Sequence, residues 1–190
     1  KETHERLALH RVALARGYTY QQMSLRCLMF TSAVVARREL LNAVNGYDTS
    51  MPILEDWDLY LRLSLIAEIG TVEEALVRYR QHGNHTSTIE HVQGRVNVCH
   101  KHIKLLDRNS VYPFRRIARR NFLLNLASAH YVWGKTKECR HWMKAAIRID
   151  PRVLIWPEFL MCSLSVFVPG KLLERLRSIK RAVVRQMVQT

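Results

Sequence analysis

Three carboxylates sit around one tryptophan in Glu55-Asp56-Trp57-Asp58, within the stretch from Gly46 to Ser87 on which the chain is organised. Carboxylates in the first turn of a helix meet the positive end of its dipole, so negative charge is supported there. A carboxylate within hydrogen-bond reach of a hydroxyl can take its proton as a general base. Downstream, a short apolar stretch ends in a cationic loop that bears imidazoles, Tyr79-Arg80-Gln81-His82-Gly83-Asn84-His85. An acidic cluster and a basic loop at this separation can face each other across one cleft. That arrangement suits chemistry on an anionic substrate, whose charge needs cationic groups beside it.

The elements that would position these groups follow from periodicity. Glu55 to Ile69 reads as a helix with a broad apolar surface, closed by Gly70. Arg62 falls one turn after Asp58, the spacing of an i,i+4 ion pair. Before it, Arg26 to Val35 is a continuous apolar run rich in β-branched residues, which predicts a buried strand. Arg37 to Val44 predicts a short helix and Asn45-Gly46 a turn. Thr71 to Ala75 and Leu76 to Arg80 read as a strand or strand pair. Residues 2–17 read as an amphipathic helix ending at Gly17.

The ordered set Gly46-Tyr47-Asp48, Glu55-Asp56-Trp57-Asp58-Leu59-Tyr60-Leu61-Arg62-Leu63 and Tyr79-Arg80-Gln81-His82 resembles the second half of a family-2 glycosyltransferase of the GT-A fold. The resemblance covers roughly residues 25 to 88 and includes the apolar segment Cys27 to Ala36 with Arg37-Arg38-Glu39-Leu40. It implies an α/β fold, a partial GT-A Rossmann-like half, on the acceptor side of the enzyme. It implies inverting transfer from a nucleoside-diphosphate sugar to a hydroxyl of a glycan or lipid-linked saccharide, in polysaccharide or cell-envelope synthesis. Asp56 would be the base and Glu55 its catalytic companion. Trp57, Asp58, Arg62 and Arg80 would contact substrate, with the Trp57 ring as a stacking face. His82 matches a histidine that sometimes ligates the Mg²⁺ or Mn²⁺ of these enzymes; His85 is a weaker candidate. The DxD motif that holds the metal does not occur before Cys27, so the chain is expected to be a fragment that cannot turn over alone.

Composition fits a folded protein of 190 residues, 48% apolar and 24% charged, with 7 Gly and 5 Pro. The net charge of +14 is unevenly placed: residues 1–89 carry 10 basic and 10 acidic residues, residues 90–190 carry 20 and 6. This change suggests a boundary near residue 89, between the transferase part and a basic helical extension. Cys27, Cys99, Cys139 and Cys162 are scattered, without the spacing of a zinc site or disulfide framework. Beyond residue 90 the pattern is all-helical, with helices over Val92–Leu106, Phe114–Trp133 and Glu138–Ile149. Aligned on Pro151, this segment resembles one tetratricopeptide repeat through Leu126, Ala127, Gly134, Cys139, Met143 and Ala146. Leu154 to Val168 is apolar but short for a membrane span. Lys171 to Gln189 reads as a basic amphipathic helix able to lie beside anionic lipid. The expected setting is cytoplasmic, with peripheral contact at the inner face of the membrane. The alternative function is a non-enzymatic basic module that binds a membrane surface or another anionic partner; nucleic acid is not expected, because the basic residues form no recognisable binding motif.

Overall fold

The structure, a computed structural model, describes residues 19–72, 74–78, 88–108, 114–168 and 172. These residues form seven α-helices: α1 (Thr19–Met23), α2 (Arg38–Ala43), α3 (Glu55–Leu63), α4 (Thr88–Arg108), α5 (Arg115–Val132), α6 (Thr136–Ile149) and α7 (Leu160–Phe167). Short 3-10 turns occur at Thr31–Ala33, Pro151–Ile155 and Pro157–Phe159. No strand or sheet occurs among the described residues, which overturns the expected α/β half. The expected helices over residues 2–17 and 171–189 lie outside the described residues, apart from Leu172.

The expected strand at 26–35 shows why an apolar β-branched run is not enough. Its backbone is extended in places, with φ −95° and ψ 138° at Phe30 and −111° and 131° at Val34. A strand also needs a neighbour to take its N–H and C=O groups, and none is present among the described residues. The segment instead makes a 3-10 turn, and only Leu28 is buried within it. The described part of 71–80 likewise forms no ladder, and Val72, Leu76 and Val77 are exposed.

The chain forms two compact units, Lys1–Phe122 and Leu123–Thr190. In the first, α3 is covered over most of its length: Trp57, Leu59, Tyr60, Leu61 and Leu63 are buried with Asp58. A helix of this kind belongs in a core rather than on a surface. It packs on α1, where the Trp57 indole donates to the Met23 carbonyl at 2.7 Å. Asn121 closes the other side of α1 by donating to the Gln21 carbonyl and the Ser24 hydroxyl, at 3.0 and 2.9 Å. Phe122 is fully buried; around it lie Tyr20, Trp57 and the His102 ring, with centroids 6.2, 6.5 and 5.6 Å away. Long α4 joins this core through a helical stripe of Val92, Val96, Cys99, His102 and Leu106. The residue-89 boundary suggested by charge therefore falls within α4. Charge records where lysine and arginine lie, whereas a unit is defined by what the apolar face covers.

In the second unit, Gly134 ends α5 at φ +77°. The amide of Lys135 returns to the His130 carbonyl at 2.9 Å, and that of Gly134 to Tyr131 at 3.1 Å. This pairing is a Schellman cap, which favours glycine at its left-handed position. Cys139, Met143 and Ala146 then form the buried face of α6, against which α7 packs.

At Gly94, α4 lies tightly against the segment before α3. A Cβ there would meet the Ile53 carbonyl oxygen at 2.9 Å and the Ile53 Cγ2 at 3.1 Å. Gly→Ala in a helix interior normally stabilises by about 1 kcal/mol. Here Gly94→Ala should destabilise the chain by about 1–3 kcal/mol, as overpacking does. Urea unfolding of the two proteins checks the sign.

Candidate functional site

The acidic triplet separates into two environments. Asp58 points inward, with its side chain 0% exposed, and both of its oxygens are occupied. Oδ1 accepts from His102 Nε2 at 3.0 Å and from Lys101 Nζ at 2.8 Å. Oδ2 accepts from Arg62 Nε at 2.8 Å and from Lys101 Nζ at 2.9 Å. The same ammonium reaches Asp48 Oδ2 at 2.7 Å. Arg62 extends further, donating through Nη1 to the Val44 carbonyl at 2.5 Å and through Nη2 to the Gly46 carbonyl at 2.8 Å.

Those two carbonyls are presented by the end of α2. Asn45 and Gly46 both take left-handed backbone, at φ 59° and 61°. Gly46 N–H returns to Leu41 at 2.8 Å and Asn45 N–H to Asn42 at 3.1 Å, a second Schellman turn. The Gly46-Tyr47-Asp48 motif thus supplies a turn that Arg62 grips and a carboxylate that Lys101 bridges.

His102 completes the buried network. An ionised Asp58 only accepts, so Nε2 carries the imidazole proton and Nδ1 accepts from the Tyr20 hydroxyl at 3.0 Å. Two carboxylates and two cations already balance, so a protonated ring would add an uncompensated buried charge. Burial holds the His102 pKa below the ordinary histidine value, against the opposing pull of Asp58. For Asp58, burial acts to raise the pKa. The hydrogen bonds from His102 and Lys101 and the Arg62 charge outweigh it and hold the carboxyl well below the usual range. Asp48 is lowered to about 2, chiefly by its bond from Lys101.

Asp56 lies in the other environment. It is half-buried; Oδ2 accepts from the Thr31 hydroxyl at 2.8 Å and Oδ1 from the Trp57 amide at 2.7 Å. No cation pairs with it among the described residues. Glu55, its neighbour on the first turn, is also half-buried. The helix begins from Leu54 at φ 60°, a conformation that costs a non-glycine residue about 1–2 kcal/mol. Tyr60 is buried beside Thr31, and its hydroxyl makes no well-formed hydrogen bond among the described residues. Burial pushes its pKa up to about 12.

Of the residues expected to contact substrate, Trp57 is 2% exposed and its indole is committed to Met23. Its ring is a core surface, not a sugar platform. Asp58 and Arg62 are tied into the buried network. Arg80, His82 and His85 lie outside the described residues. Among the described residues no group of three or more His, Cys, Asp or Glu side chains is placed to hold a metal ion. Asp58 in particular has its lone pairs filled by donors. Four residues of the site escaped sequence reasoning: Tyr20, Thr31, Lys101 and His102. Each is an ordinary residue outside the quoted motifs, and only His102 carried a signal, as a polar residue on an otherwise apolar helical stripe. No family model matches the chain, and no curated protein or solved structure matches it either. No helix among the described residues is long and apolar enough to cross a membrane.

Two outcomes are expected. Asp58→Ala strands His102, Arg62 and Lys101 around a vacated position and should cost about 3–5 kcal/mol in chemical denaturation. The second concerns pH. Because the folded His102 pKa is lowered, the unfolded chain takes up a proton that the folded chain refuses as pH falls through the unfolded value of about 6.5. Its contribution is therefore present above that value and lost below it. Asp48 and Asp58, also lowered, add a second loss beginning below the unfolded carboxylate value of about 4. Urea midpoints from pH 8 to pH 3 should fall in these two stages, and His102→Gln should shrink the upper one to the part left by His100, whose pKa burial also lowers.

Proposed function

We propose that the chain acts in inverting glycosyl transfer, with Asp56 as general base. The observation that carries this reading is the division within the triplet. Asp58 is sealed and saturated, while Asp56 is accessible, paired with a hydroxyl and without a cation among the described residues. A carboxylate so placed can accept the proton of an acceptor hydroxyl as that oxygen attacks the anomeric carbon. The bond to the diphosphate breaks as the new C–O bond forms on the opposite face, which inverts the anomeric centre. The proton resting on Asp56 then passes to water. Thr31 fixes the carboxylate, and Glu55 lies one residue away to accept from a second acceptor hydroxyl. The acceptor class is a glycan or lipid-linked saccharide, and the donor a nucleoside-diphosphate sugar. Arg80 and His82 are proposed to supply positive charge to the departing diphosphate.

The resemblance that suggests this chemistry rests on residue order and spacing, since the expected sheet is absent from the described residues. In support, Gly46, Asp48, Asp58 and Arg62 are joined by direct hydrogen bonds or through Lys101. Residues that are apart in sequence thus belong to one structure beside Asp56.

The test is a screen of nucleoside-diphosphate sugars against the gene product that carries this sequence, followed through nucleotide release. Asp56→Asn should lower transfer by about 10²–10⁴-fold, the usual worth of general-base catalysis, with donor affinity unchanged. Equal turnover by the variant would remove Asp56 from the mechanism.

A further inference from the structure

An open cleft of about 630 Å³ runs along α4, outside the Asp56 environment. Its volume falls in the range of small-molecule sites, about 300–1,000 Å³. The helix contributes Asn97, His100, Lys101, Lys104 and Arg108, and the 48–50 turn contributes Asp48 and Ser50. These helix positions recur at intervals of three and four, so they share one face. From residue 100 to residue 108 the helix rises about 12 Å.

The charge of the cleft is one-sided. Its one carboxylate, Asp48, is already bridged by Lys101 at 2.7 Å. Lys104 and Arg108 are exposed and make no ion pair among the described residues. Asn97 accepts from Gln93 through Oδ1 at 3.1 Å, which leaves its NH₂ as a donor. Cations arranged along a length, with a neutral donor at one end of the row, match an extended anion better than a compact one. Arginine pairs with phosphate through two parallel bonds, and lysine meets it as a point charge. One phosphate group is too short to engage both ends of such a row.

We propose that this cleft is a binding site for a ligand carrying two or more linked phosphates. The inference rests on the cleft alone and does not depend on the role of Asp56. The phosphates can come from a soluble diphosphate ester or from the headgroup of a lipid, and the test separates these sources.

The probes are inorganic pyrophosphate and inorganic phosphate, titrated calorimetrically into the full chain at low salt. A Lys104→Gln, Arg108→Gln double variant is compared with a Lys144→Gln, Arg148→Gln control on α6. All four residues are exposed, and matching thermal melts confirm that the variants fold. Pyrophosphate should bind more tightly than phosphate, and the cleft variant should weaken it by about tenfold or more. The control should stay within about twofold, because general attraction to the basic surface contributes little at one pair of exposed charges. A parallel arm uses phosphatidylcholine vesicles with and without diacylglycerol pyrophosphate, whose headgroup carries two linked phosphates. Vesicle binding that pyrophosphate displaces, and that the cleft variant loses, supports the site with a lipid source. Pyrophosphate binding without vesicle binding supports it with a soluble source. No pyrophosphate binding, or equal losses in the cleft and control variants, overturns the proposal whatever becomes of the glycosyl-transfer reading.

Discussion

The first unit is held to one arrangement by a buried carboxylate that must be compensated. A charged Asp58 with no exposure would be prohibitively costly alone, so every group around it is under constraint. Arg62 must lie back along α3, Lys101 and His102 must come from α4, and Tyr20 must come from α1. Removing any one takes a hydrogen bond from Asp58 or, for Tyr20, from the buried His102 ring. The network therefore does more than add stability: it selects which faces of three helices meet, because a rotation of α4 by one residue would replace His102 with a different side chain. Its neighbours reinforce that choice. The imidazole is stacked on Phe122, so the same ring serves the polar network and the aromatic core.

The consequence for the candidate site is a division of labour between adjacent carboxylates. Asp58 gives up its chemistry to hold the platform, and Asp56, two residues earlier, sits at the accessible edge of that platform. Position along α3 makes the split: Asp56 lies in the half-buried first turn, whereas Asp58 falls within the continuous buried run from Trp57 to Leu61. Thr31, from the segment expected to be a strand, then supplies the hydroxyl that positions Asp56. A segment without a sheet still places its side chain at the site.

Lys101 links this platform to the cleft along α4. One ammonium serves Asp58 on the buried side and Asp48 on the solvent side. The cations farther along the helix, Lys104 and Arg108, make no ion pair among the described residues. The excess basic charge of the chain thus has two physical roles within a single helix: at Lys101 it neutralises the core network, and beyond it a positive surface is left open to solvent.

Much of the helical framework was legible in the sequence. The 3.6-residue recurrence of apolar positions marked α3, α4, α5 and α6 to within a few residues at most ends, with α3 six residues shorter than expected. Gly134 and Asn45-Gly46 marked turns that proved to be Schellman caps. The Asp58–Arg62 pair followed from i,i+4 spacing. These features are local, decided by neighbours within one or two turns of chain. What the sequence could not decide depends on distant partners. The 26–35 run has strand-like composition and partly strand-like dihedrals, yet a sheet needs a second strand, and composition cannot say whether one is beside it. Trp57 could be a stacking face or a core ring, and Met23 settled it. Asp56 and Asp58 are equivalent in a motif and opposite in a fold, because Lys101 and His102 arrive from more than forty residues away. Local preference is written residue by residue; burial is a property of the whole unit, and only tertiary structure assigns it.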